Sequence, residues 1–235
     1  MANFATHLKA SILTSAALSS VILNTHIATA PQSITLFLIG ALSGLLPDLD
    51  ADNSTSIDWL FSILGLVLCA SFSLLVPQSS LVAVWFFTLV IYFSTHYMIK
   101  PVFEKLTVHR GSFHSLFAII MFSLIGVTLS LLLSQSLNVS LLVGVFITLG
   151  ALTHLLLDEL YSVDLENNTL KSSFGTAMKL IDTRYPLSVF LQTILVLSSL
   201  YFLYPKYDAI CDVVLSWQVK LSHFVFMPQN INLFS

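Results

Sequence analysis

Four short polar islands interrupt an otherwise apolar chain, and each carries side chains that bind metals or move protons. They are Thr6-His7, Leu46-Pro47-Asp48-Leu49-Asp50, His109-Arg110-Gly111-Ser112-Phe113-His114-Ser115 and Thr153-His154-Leu155-Leu156-Leu157-Asp158-Glu159. His154 and Asp158 are four residues apart, so a helix places both on one face. Such a pair can ligate one ion or set a carboxylate beside a ligating imidazole; alone, it reads more readily as a helix-end histidine with a hydrogen-bonded partner. Asp48-x-Asp50 supplies hard oxygen ligands. Two carboxylates that close to hydrocarbon repel one another unless a cation is present. His109 and His114 flank Arg110-Gly111-Ser112; Gly111 permits a tight turn, and Ser112 is a good N-cap for the span that follows. Arg110 can clamp an anion or serve as an ordinary membrane-surface anchor.

The elements that must position these groups are membrane spans. The chain of 235 residues is 56% hydrophobic and only 9% charged, with a mean hydropathy of +0.90. Soluble domains carry roughly 25% charged residues. Runs near 8–28, 33–47, 57–76, 81–99, 114–134, 139–158 and 187–205 approach the ~20 residues that cross a bilayer. The second run is short and holds Gly40 and Gly44, which suit tight helix packing. A mixed segment from Tyr207 to Met227 reads as an interfacial amphipathic helix or an eighth span. The expected fold is all-α: a polytopic helical membrane protein of about seven transmembrane helices plus that C-terminal helix, in one domain over 1–235. Ala28-Thr29-Ala30 is similar to a signal-cleavage site, but Pro31 and the polar Asn24-Thr25-His26 argue against cleavage. Cys69 and Cys211 are isolated in apolar surroundings and make no metal motif.

Alternating the spans makes the islands converge. The connections 29–32, 77–80 and 135–138 carry no charge, whereas the other side holds Lys9, Lys100, Lys105, Arg110, Lys171, Lys179 and Arg184, seven of the nine basic residues. Basic residues accumulate on the cytoplasmic side, and that side also holds His7, Asp48, Asp50, His109, His114, His154 and Asp158. His26 and His223 fall on the opposite side, and His96 lies near the cytoplasmic end of the fourth span. No basic patch of the nucleic-acid-binding kind is present.

The ordered set Thr6-His7, Leu45-Leu46-Pro47-Asp48-Leu49-Asp50, His109-Arg110-Gly111-x-x-His114-Ser115 and His154-x-x-x-Asp158 resembles the bacterial YdjM-like family. These are LexA-regulated inner-membrane proteins described as metal-dependent hydrolases. The resemblance spans residues 6–180. It departs from the family pattern at Phe113, where members typically carry Thr. It implies a multi-span bacterial inner-membrane protein with a metal site. A more distant similarity links the pattern to zinc-dependent phospholipases C, whose His and Asp residues hold a metal cluster.

Together these readings predict a cytoplasm-facing hydrolase dependent on a divalent metal, with zinc favoured and one or two ions. His7, Asp48, His109, His114, His154 and Asp158 are the expected ligands. Asp50 is the candidate general base or bridging ligand, and Arg110 the candidate stabiliser of negative charge. Membrane lipids are the expected neighbours, and a lipid ester or phosphoester the expected substrate. The rival expectation is a non-enzymatic membrane protein with a structural metal site or an ion or proton pathway. The lack of matching acidic or histidine residues at the far span ends, and of an inverted repeat, disfavours a transporter.

Overall fold

In the computed structural model, residues 4–50, 55–75, 80–101, 113–164, 169–170 and 178–224 are described. Within them the regular structure is helical apart from a two-residue antiparallel pairing, Val163–Asp164 with Thr169–Leu170. The helices are α1 (Phe4–Asn24), α2 (Ala30–Ser43), α3 (Thr55–Leu75), α4 (Leu81–Ser94), α5 (Leu116–Leu132), α6 (Leu137–Leu160), α7 (Pro186–Leu203) and α8 (Tyr207–Ser222). A short 3-10 turn, Leu46–Asp50, follows α2; a π-helical turn, Thr95–Ile99, extends α4; and a 3-10 turn, Tyr204–Lys206, joins α7 to α8.

Local chemistry sets the boundaries. The first run ends short of residue 28 because His26 adopts a positive φ of 52°, a conformation that L residues seldom take outside turns. Thr29 then opens α2, its backbone N–H donating to Gln32 Oε1 at 2.9 Å, with Pro31 in the first turn. Ser80, Ser115 and Ser136 are N-caps, accepting from the amides of Ala83, Ala118 and Val139. Ser115 therefore caps α5, the role the sequence suggests for Ser112, which lies outside the described residues. His114 consequently sits just before the helix. Phe113 explains the shift: it is buried with Ile57, Phe61 and Met121 and lies edge-on to Phe122 at 5.3 Å. That anchor draws the chain inward before the helix can start.

α6 is the central element and packs against α1, α2, α5 and α8. Phe146, Leu142 and Leu36 are fully or almost fully buried in the core it shares with α2. The α2–α6 crossing is close because both sides are glycine. A Cβ on Gly150 would collide with the backbone carbonyl of Gly40 and come within 3.0 Å of the Gly44 nitrogen. Small residues allow this backbone approach in membrane bundles. Ser11 and Ser15 of α1 likewise fill the space beside Gly44 and Gly40.

Among the described residues, four stretches, Ala5–Asn24, Leu81–Ile99, Leu137–Leu160 and Pro186–Ser222, are long and apolar enough to cross a membrane. α2 has 14 residues, about 21 Å of helix, and α5 has 17; both are shorter than the ~30 Å hydrocarbon core. Exposed Leu81, Trp85, Phe86, Leu89 and Phe93 coat α4, an apolar exterior suited to lipid rather than water.

Candidate metal centre

Four chain segments deliver the site from alternate helix ends. His7 stands in the first turn of α1, Asp48 in the turn after α2, His114 just before α5, and His154 and Asp158 in the last two turns of α6. Because the side chains meet, these four ends lie together at one end of the bundle.

The contacts are close. Asp158 Oδ1 lies 3.3 Å from His7 Nε2, and its Oδ2 lies 3.6 Å from His114 Nε2 and 3.5 Å from His154 Nε2. Asp48 Oδ1 lies 3.4 Å from both His114 Nε2 and His154 Nε2. The His7 and His154 rings stack, with centroids 3.7 Å apart and planes 11° from parallel; the His114 ring meets His154 edge-on at 5.4 Å. His7, His114, His154 and Asp158 are all buried, and Asp48 is partly open. Burial pushes the Asp48 carboxyl up. The contacts and charge of His114 and His154 outweigh it and hold the group well below the usual carboxylate range.

The tautomer of His154 decides what this cluster needs. Its Nδ1 lies 2.6 Å from the Gly44 carbonyl oxygen. A carbonyl only accepts, so Nδ1 carries the proton. In the neutral ring Nε2 is then a lone-pair acceptor. That atom is buried without a hydrogen-bond partner among the described residues, and it faces two carboxylate oxygens that are also acceptors. Three converging acceptors, two of them carboxylate oxygens, favour a cation between them, either a metal ion or a proton on the imidazole. The donor types fit a divalent ion, and two overlapping sets bring ligand atoms within 4.8 Å of one another: His7, His154 and Asp158, and Asp48, His114 and His154. The Gly44 contact also orients the ring, as the outer hydrogen bond of a ligating histidine does.

Of the residues singled out from the sequence, His7, Asp48, His114, His154 and Asp158 are brought together. His109 and Arg110 lie outside the described residues. Asp50 ends the Leu46–Asp50 turn, and its side chain lies outside what is described. His26 belongs to the turn after α1, where its carbonyl accepts from Lys220 Nζ at 2.9 Å, and His223 closes α8. His96 stacks on Tyr92 at 5.9 Å. Glu159 follows Asp158, and its carbonyl accepts from the Ser162 hydroxyl.

Two contributors escape the sequence reading. The Gly44 carbonyl has no residue-type signature, although the glycine itself marks close packing. The segment 178–185 acts through its backbone: the carbonyls of Lys179 and Leu180 accept from the Leu116 and Phe117 amides at 3.0 Å each, tying it to the start of α5. Within it Asp182 is buried. It accepts 2.8 Å and 2.7 Å hydrogen bonds from Arg184 Nε and Nη2 and another from Lys179. Arg184 first, and then Lys179, hold the Asp182 carboxyl far below its usual range.

Fold and site thus define a class: a helical membrane protein with a buried histidine–carboxylate cluster at one end of its bundle. The chain belongs to the YdjM inner membrane protein family, whose model matches residues 1–207. The match reaches past the motif-bearing 6–180 to include α7. No curated protein and no solved structure matches the chain.

Proposed function

We propose that this protein is a divalent-metal-dependent hydrolase of the bacterial inner membrane, multi-pass, with its site facing the cytoplasm and a lipid ester or phosphoester as substrate. The observation that carries the reading is the meeting of His154 Nε2 with Asp48 and Asp158 oxygens, all acceptors, in a buried setting. His7, Asp48, His114, His154 and Asp158 would hold one or two ions, zinc being favoured by the imidazole–carboxylate set, with His109 as a further ligand. A divalent ion bound there supplies a Lewis acid that activates water and polarises an ester. The protein groups do the rest. Asp50 accepts a proton, Arg110 steadies negative charge developing on the substrate, and the two carboxylates Asp48 and Asp158 keep the imidazoles oriented. The cytoplasmic orientation is supported by the basic residues assigned to this end, and the lipid substrate by the position of the cluster at the ends of apolar helices.

The test is metal content and turnover together. Purified protein should contain stoichiometric divalent metal by elemental mass spectrometry and should hydrolyse at least one member of a lipid-ester and phosphoester panel. Asp158→Asn should lose both. Wild-type protein that stays metal-free after loading would reject the site; metal-replete protein inert on the whole panel would reject the hydrolase.

One observation favours a second reading, a proton or ion pathway. Ser11 and Ser15 continue inward from His7 at four-residue spacing, fully buried and with no hydroxyl partner among the described residues. Proteoliposomes that acidify internally under an imposed gradient, and stop doing so in Ser15→Ala, would establish that alternative.

A further inference from the structure

An apolar cleft of about 700 Å3 opens on the flank of the bundle where α5, α6 and α7 meet the start of α8. That volume falls within the roughly 300–1,000 Å3 of small-molecule sites. On α6 it follows Leu141, Val145, Thr148 and Leu152, one helical stripe about 16 Å long at ~1.5 Å per residue. These residues lie inside the Leu137–Leu160 stretch, so the cleft runs along a helix long and apolar enough to cross a membrane. Its internal hydroxyls are already used: Ser123 Oγ and Thr148 Oγ1 donate to the Gly144 carbonyl at 3.0 and 2.9 Å. A buried water needs about two to four polar partners, and the hydroxyl hydrogens on this stretch of wall are committed elsewhere. The end nearest α8 is different. Tyr204 and Tyr207 line it and are 80% and 65% exposed, with exposed Lys206 between them. Tyrosines beside a cation are characteristic of the membrane interface.

We propose that the cleft is a lipid site in which one acyl chain of a glycerophospholipid lies along α6 from Leu141 toward Leu152, its phosphate at the Tyr204–Lys206–Tyr207 rim. The rim is at the end of α6 away from the histidine–carboxylate cluster. Leu152 and His154 are about 200° apart around α6, so the cleft is not the route into that cluster. The site stands whether or not the protein is a hydrolase. Hydrocarbon here fills the gap that side chains leave between α5, α6 and α7.

Native mass spectrometry of the full-length protein, released from nanodiscs of phosphatidylethanolamine and phosphatidylglycerol, tests the proposal. Wild type is expected to retain one phospholipid. Val145→Trp and Leu200→Trp, which fill the cleft from α6 and from α7, are expected to lose it with metal content unchanged. Leu132→Trp, exposed but outside the lining, should keep it. Wild type that retains no lipid, or a folded cleft-filling variant that retains as much as wild type, overturns the site. A protein dimer abolished by Val145→Trp also overturns it, since the occupant would then be a second copy of the chain.

Discussion

At the residue scale, Asp158 ties the three imidazoles of the cluster together. Its two oxygens meet three imidazoles at 3.3 to 3.6 Å, and it is buried. Asp158→Asn keeps the shape and removes the charge. Breaking a buried ionic partnership from one side costs about 3 kcal/mol or more, so its unfolding midpoint in detergent should fall together with its metal content. His26→Ala, in the turn after α1, should leave metal content at the wild-type level; a similar loss there would mean that the ion is held elsewhere. His154 separates metal from proton. If an ion fills the gap, chelator treatment should lower the wild-type midpoint and leave His154→Ala unmoved. Equal responses would point to an imidazolium.

At the element scale, the α2–α6 crossing positions Gly44 against His154. Gly150→Ala places a methyl against the Gly40 carbonyl, and backbone cannot swing aside as a side chain can. Overpacking of this kind costs about 1–3 kcal/mol, and the displaced α2 should weaken metal retention as well. Gly126→Ala is the contrast. The closest atom to its methyl would be the flexible Cδ1 of Ile147, so it should lower the thermal midpoint less and leave the metal in place. The segment 178–185 gives a pH prediction. Asp182 is held low by Arg184 and Lys179, so its stabilisation is fully present above the unfolded carboxyl value of about 4 and is lost as pH falls toward its depressed folded value. Hydrogen exchange at the Leu116 and Phe117 amides, corrected for the intrinsic rate, should therefore lose protection on acidification below that point. Asp182→Asn should show weak protection already at neutral pH; unchanged protection in that variant would separate the anchor from the ion pair.

At the scale of the whole molecule, orientation has the sharpest test. In a Cys69→Ser, Cys211→Ser background, a membrane-impermeant maleimide applied to intact cells should label Gln135→Cys, in the turn before α6, and spare Leu160→Cys at its other end. The reverse pattern would place the metal centre outside the cytoplasm. Much of this architecture is legible in residue types. The expected alternation of apolar runs puts His7, Asp48, His114 and His154 at one end, and these four side chains do meet. What is not legible is carried by backbone or by competing local signals. Ser112 and Ser115 are both good caps by residue type, and it is Ser115, beside the buried Phe113, that accepts from the Ala118 amide. The Gly44, Lys179 and Leu180 carbonyls act through atoms that every residue possesses. Glycine at 40 and 150 indicates closeness without naming the partner.

The scattering of the donors along the chain has a consequence for biogenesis. A nascent polypeptide that has threaded only α1 and α2 into the bilayer already displays His7 and Asp48, but the imidazole of His154 and the carboxylate of Asp158 emerge more than a hundred residues later. An ion held by this cluster would therefore be captured late, after synthesis of α6, and a chain stalled before that point would lack two of its ligands. Metal loading would thus report completed insertion, giving the cell a chemical distinction between finished and abandoned copies.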